Sequence, residues 1–244
     1  MQFYSLTDRG KLREVNEDAC YAGNIGPYTL LILADGMGGH RGGATASKKA
    51  IEKIREILEQ SLTEKMLPGQ IMLLLSDALR EANREIIALS RNVPTLIGMG
   101  TTCDICLLVK NIAYIAHIGD SRIYKLSGGH GTLTRLTKDH SLVEYMIETG
   151  AITEEEAVHH PQKNVILRAL GTAEDTEADV FYEKFSPGDT LLMCSDGLTN
   201  MLEENVVLEI LSSEENPESA AQILIDKAND AGGQDNITVV IAKI

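Results

Sequence analysis

YTLLILADGMGG, residues 28–39, opens as a strand and ends as a turn. Seven consecutive apolar or β-branched residues suit a strand buried on both faces. Asp35-Gly36-Met37-Gly38-Gly39 then stops it, and the period changes. In residues 47–60, Ile51, Ile54 and Leu58 recur at helical spacing. In residues 70–90, Ile71, Leu74, Leu75, Ala78, Leu79, Ala82 and Ile86 do the same. Pro68-Gly69 separates the two, so a helical hairpin is predicted. Strand patterns resume at 101–109, 112–118 and 122–126, and recur at 180–185, 190–194 and 237–241; another precedes the opening stretch at 2–8. Helices are predicted at 205–211 and from Asn216-Pro217 to Asp230, with Asn as cap and Pro at the first helical position. Helices in pairs between runs of strands favour an α+β fold, antiparallel sheets covered by helices, over a doubly wound parallel sheet.

The chain has 244 residues and no repeat or Pro/Gly/Ser linker, so residues 1–244 are read as one domain. Residues 141–171 break the pattern. They carry a short helix ending at Gly150, a Thr153-Glu-Glu-Glu156 capping box and His159-His160-Pro161. This stretch is read as a surface insertion that acts as a flap.

Net charge is −14, which repels nucleic acid and anionic membrane surfaces. No apolar run is long enough to span a bilayer, and MQFYSLTDRG lacks the regions of a signal peptide. A cytoplasmic protein without membrane insertion is expected. Cys103-Asp-Ile-Cys106 is formally a C-x-x-C, but its surroundings read as a strand, where residues three apart face opposite ways. Buried thiols, not a redox pair, are expected there.

Five aspartates stand beside strands or in glycine turns: Asp18, Asp35, Asp120, Asp196 and Asp235. An ionised carboxylate at the rim of a core is costly without a partner, and few basic residues lie near these positions in sequence. A divalent cation answers both problems. Oxygen ligands without His or Cys point to Mg²⁺ or Mn²⁺ over Zn²⁺. The glycines after Asp35 let backbone approach a ligand closely. No Gly-Lys-Ser/Thr follows, so this is not a P-loop, and no G-x-S-x-G serine elbow is present.

Here the sequence resembles a known family. Thr7-Asp8-x-Gly10-x-x-Arg13-x-x-Asn16-Glu17-Asp18, Ala34-Asp35-Gly36-Met37-Gly38-Gly39 and Gly100-Thr101-Thr102 are similar to motifs of the PPM family, the type 2C protein phosphatases. So are Ile118-Gly119-Asp120-Ser121-Arg122, Leu136-Thr137-x-Asp139-His140-Ser141, Cys194-Ser195-Asp196-Gly197-Leu198 and Gly233-x-Asp235-Asn236-Ile237-Thr238. They occur in family order across nearly the whole chain, and Asp-Gly-Met-Gly-Gly resembles the bacterial branch.

The resemblance implies a central antiparallel β-sandwich flanked by pairs of antiparallel α-helices, a four-layer α-β-β-α fold with metals at one end. It implies hydrolysis of phosphoserine and phosphothreonine in proteins, by direct attack of a water bridging two divalent cations, Mn²⁺ or Mg²⁺. Asp35 would bridge the ions and Gly36 would bind through its carbonyl. Asp196 and Asp235 would complete the first site. Glu17 or Asp18 would hold the second ion through water, and Asp120 with Asp196 would form a weaker third site. Arg13 would grip the phosphate with its planar fork. Where other members carry Asp-Gly-His, with the histidine as candidate general acid, this chain has Met37. His40 is the candidate replacement, and a metal-bound water is the alternative. Phosphorylated proteins, a partner Ser/Thr kinase and its substrates are the implied partners, and a monomer is expected. Two other readings compete: a phosphopeptide-binding pseudophosphatase, which predicts lost metal ligands, and a phosphoesterase acting on small molecules.

Overall fold

A computed structural model describes residues 1–39, 42–128 and 131–244. Two five-stranded antiparallel sheets form its centre. In the first, the order is β1 (Gln2–Asp8), β12 (Ile237–Lys243), β11 (Thr190–Cys194), β8 (Arg122–Leu126), β9 (Leu133–Arg135). In the second it is β10 (Asp179–Lys184), β7 (Ile112–Ile118), β6 (Cys103–Val109), β3 (Tyr28–Ala34), β2 (Ala19–Ile25). A small ribbon pairs β4 (Gly36–Met37) with β5 (Gly100–Thr101).

All seven residues of β3 are buried because both its faces are covered. Leu30, Ile32 and Ala34 pack under the helices α1 (Gly42–Ser61) and α2 (Pro68–Asn92). Leu31 and Leu33 point the other way, into the layer between the sheets, where they meet Met193 and Val240. The same alternation splits Cys103 from Cys106, one under the helices and one between the sheets. On the far side, Ile237, Val239 and Ile241 of β12 pack under α6 (Glu204–Ser213) and α7 (Pro217–Asp230). The result is four layers, helix, sheet, sheet, helix. Each buried Leu or Ile contributes about 1.5–3 kcal/mol relative to exposure.

Asn216 caps α7 by accepting the Glu218 backbone N–H at 2.8 Å, with Pro217 first in the helix. Between β9 and β10 lie two short helices, α3 (Leu142–Glu148) and α4 (Glu154–Val158), the second closed by the expected Thr153–Glu156 box. The ends of this segment meet: Leu142 N–H donates to Val165 C=O at 2.8 Å and Leu167 N–H to His140 C=O at 2.7 Å. The remaining helix, α5 (Asp196–Thr199), is a single turn after β11.

Candidate active site at one end of the sandwich

Antiparallel register decides where the aspartates fall. Ala19 pairs with Ala34 and Ile237 with Asp8, while Cys194 faces Val239 and Arg122. The residues just beyond these pairs, Asp18, Asp35, Asp196 and Asp235, therefore emerge at the same end of both sheets. Asp120 joins them from the turn after β7, whose last residue, Ile118, pairs with Cys103.

The backbone around them is tightly fixed. Asp35 donates its N–H to Thr102 Oγ1 at 3.0 Å, and its carbonyl accepts from Thr102 N–H at 2.8 Å and Thr101 Oγ1 at 2.9 Å. A Cβ on Gly36 would meet Gly43 O at 2.3 Å and Glu17 O at 2.5 Å, so only glycine fits. Gly197 is required for the same reason: its Cβ would lie 2.0 Å from Asn236 O. Asn236 clamps the 9–17 loop, donating to Arg9 O at 2.9 Å and Val15 O at 3.0 Å and accepting Glu17 N–H at 2.8 Å.

Electrostatically the cluster is frustrated. Loss of hydration pushes the Asp35 carboxyl well above the usual range, and repulsion from Asp18, Asp196, Asp120 and Asp235 adds to it. Asp18 and Asp120 are each pushed up to about 7, chiefly by desolvation and then by neighbouring charge, Asp196 in both cases. Asp196 rises to about 6, by desolvation and then Asp235. Positive charge is scarce. Arg13 Nη2 donates to Asp235 Oδ2 at 2.6 Å, whereas Arg122 is committed to Asp139 through Nε at 3.1 Å and Nη2 at 2.7 Å. Asp18 Oδ1 is buried and accepts no hydrogen bond among the described residues.

Among the described residues, no three His, Cys, Asp or Glu side chains are spaced to hold one ion on their own. The chemistry of the aspartates nevertheless fits hard cations: the donors are oxygens, they are short of positive charge, and one buried oxygen lacks a partner. Glu17 is buried, with Oε1 at the start of α1, 2.7 Å from where a Cβ on Gly43 would stand. His40 lies outside the described residues. Met37 sits in β4 opposite Gly100, and its thioether has no proton to give.

Beside the aspartates a cleft of about 500 Å³ runs from Asp120 and Asp196 to Glu144, Ala157 and Lys163 of the 141–171 segment. Its wall is braced by Asp139, held by both Arg122 and Arg135.

The comparison with known families agrees with this geometry. The model of protein phosphatase 2C matches residues 10–224. The chain belongs to the protein phosphatase 2C family. It is thus an enzyme of the phosphatase class, a hydrolase, and the two helix-covered antiparallel sheets are this family's fold. The serine/threonine phosphatase stp of Listeria monocytogenes serotype 4b is 42% identical over 238 residues, covering 97% of this chain and 93% of that protein. The solved serine/threonine phosphatase of S. agalactiae superposes with a TM-score of 0.92 at 37% identity, covering 100% of this chain and 99% of that one. The catalytic domain of PstP, solved in complex with two manganese ions, gives a TM-score of 0.85 at 37% identity, covering 99% of this chain and 97% of that one.

The register also explains what Asn236, Ser195 and Thr238 do in their motifs. Each holds the aspartate loops, through partners that lie far along the chain and that the motifs do not name.

Proposed function

We propose that this 2C-type phosphatase hydrolyses phosphoserine and phosphothreonine in proteins, using two divalent cations, Mn²⁺ or Mg²⁺. The observation that supports this most is the gathering of Asp18, Asp35, Asp120, Asp196 and Asp235 at one end of the sandwich, with too little positive charge to neutralise them. The manganese in the related PstP domain supports it as well. In this reading Asp35 and the Gly36 carbonyl would hold both ions, with Asp196 and Asp235 completing the first site. Asp18 or Glu17 would serve the second through water, and Asp120 with Asp196 would form a weaker third.

When bound, such a pair supplies charge to the phosphoryl oxygens and a water acidic enough to attack phosphorus in line. The chain's own residues hold and orient. Asp35 is fixed through its backbone by Thr101 and Thr102, so its carboxylate needs little reorganisation. Arg13 is about half exposed beside Asp235, and a phosphate dianion entering there competes for its fork. His40 remains the candidate proton donor to the leaving alkoxide.

The same proposal extends to the setting. The chain acts as one catalytic domain, with 141–171 as a flap beside the cleft. It opposes a bacterial Ser/Thr protein kinase, as a cytoplasmic monomer. No helix among the described residues is long and apolar enough to cross a membrane, which is compatible with that setting.

The test is a panel: a phosphothreonine peptide, a mononucleotide and DNA, each with Mn²⁺ and with EDTA. Turnover of the peptide that needs Mn²⁺ and stops with EDTA is expected. Turnover that survives EDTA, or a clear preference for the nucleotide, contradicts the proposal.

A further inference from the structure

Asp18 owes its position to a chain of hydroxyls. Thr7 and Thr238 are a cross-strand pair of β1 and β12. Their hydroxyl oxygens lie 2.7 Å apart, and either could donate to the other. The two ends of the chain fix the direction. The Asn16 carboxamide donates from Nδ2 to Thr7 Oγ1 at 2.9 Å, and an amide N–H can only donate. Thr238 Oγ1 donates to Asp18 Oδ2 at 2.6 Å, where the ionised carboxylate that serves a cation can only accept. The Thr238 hydrogen is therefore spent on Asp18, and Thr7 must give its own to Thr238. Every hydrogen points toward Asp18.

A second hydroxyl converges on the same oxygen. Ser195 Oγ donates to Asp18 Oδ2 at 2.9 Å while accepting Thr238 N–H at 3.0 Å. Asn16 closes the ring, its Oδ1 accepting Asp18 N–H at 3.1 Å. Thr238 and Ser195 are fully buried and Asp18 nearly so. Both donors use Oδ2. Oδ1 is left buried with no hydroxyl, amide or backbone N–H donating to it among the described residues, on a carboxylate in polar contact with that of Asp35.

We propose that Thr238 and Ser195 are positioning residues for the metal centre: their hydroxyls lock Asp18 in one rotamer through Oδ2 and reserve Oδ1 for the water of the second cation. This rests on the metal reading above and deepens it, choosing Asp18 over Glu17 as the carboxylate that serves that ion. The assignment has a physical basis in how carboxylates act near metals. A ligand held by its own hydrogen bonds loses little freedom on loading, and removing such a partner typically costs about 10–100-fold in metal affinity. The pattern was hidden in the sequence because Thr7 and Thr238 are 231 residues apart.

The experiment is calorimetric titration of the metal-free full chain with Mn²⁺, with thermal melting of each variant in parallel. Thr238→Val keeps the branched shape and loses the hydroxyl; Thr238→Ser keeps the hydroxyl. The expected result is a Kd for the weaker Mn²⁺ raised by about tenfold or more in Thr238→Val and restored in Thr238→Ser. On an Asp18→Asn background, Thr238→Val changes the Kd no further. Ser195→Ala gives the same coupled loss and stands in if Thr238→Val does not fold. A Thr238→Val protein that melts lower but binds Mn²⁺ like the wild type overturns the assignment, since that is what a merely structural hydroxyl would do. An equal loss with Asp18→Asn already present overturns it too. Wild-type protein that takes up no Mn²⁺ overturns the metal reading itself and this assignment with it, and that outcome is distinguishable from the other two.

Discussion

Arg13 is paired with one anion and is about half exposed. In this structure its Nη2 rests on Asp235 at 2.6 Å, and its exposed side leaves room for a phosphate at the mouth of the site. Charge-assisted bonds of this kind contribute about 1.5–3 kcal/mol. Arg13→Ala is therefore expected to raise KM for a phosphothreonine peptide about tenfold, with a smaller effect on kcat. Steady-state kinetics at saturating Mn²⁺ check this, and an unchanged KM argues against the phosphate grip. The sequence made Arg13 and the aspartates readable because each sits in a short motif. It could not show that Arg13's ion-pair partner is Asp235, or that Asn236 clamps the loop carrying Arg13, because those pairings depend on which strands meet. Met37 has no proton to give, and His40 lies outside the described residues.

Most of the strands that the pattern made plain have both faces covered. β3, β7, β8 and β11 fall where the sequence predicts, because helices cover one face and the partner sheet the other, and β1 does so too although it is a partly buried edge strand. β2 was missed: ACYAGNI is an edge strand, only partly buried, with Gly and Asn where a core strand would carry branched residues. α5 was missed for another reason, since one turn is too short for a period. β6 and β7 carry a feature that neither pattern reveals. Asp104 pairs with His117 across the ladder, both fully buried, with Nδ1 to Oδ1 at 2.6 Å. His117 Nε2 meets Lys138 O at 2.8 Å and so must carry a hydrogen, making the Asp–His pair neutral as a unit. His117→Ala strands Asp104 in the core and is expected to cost about 3–5 kcal/mol in urea unfolding. His117→Leu with Asp104→Leu recovers most of it, because two apolar side chains leave no charge unpaired. A small loss in His117→Ala contradicts the pairing.

Taken as a whole, the molecule concentrates negative charge at the end where its sheets converge, on a chain that already carries −14. Without cations this charge opposes folding. Asp18 and Asp120 are raised to about 7 and Asp196 to about 6, from 3.8 for an ordinary aspartate. A carboxyl raised on folding binds protons more tightly in the folded state. Its stabilisation is complete below pH 3.8 and is lost as pH rises through 6–7. The melting temperature in EDTA is thus expected to fall between pH 5.5 and 8, and Mn²⁺ to restore it most strongly at pH 8. A melting temperature flat in EDTA and indifferent to Mn²⁺ would mean that the cluster is not frustrated. The proposed function makes one demand on this end of the sandwich: Asp35 and its neighbours must hold the cations that hydrolysis uses. The most direct measurement is Asp35→Asn, assayed for Mn²⁺ uptake and for hydrolysis of a phosphothreonine peptide. Loss of uptake and a fall in kcat/KM of about a thousandfold, several kcal/mol of charge stabilisation, are predicted. A folded Asp35→Asn protein that hydrolyses the peptide at the wild-type rate would contradict the account.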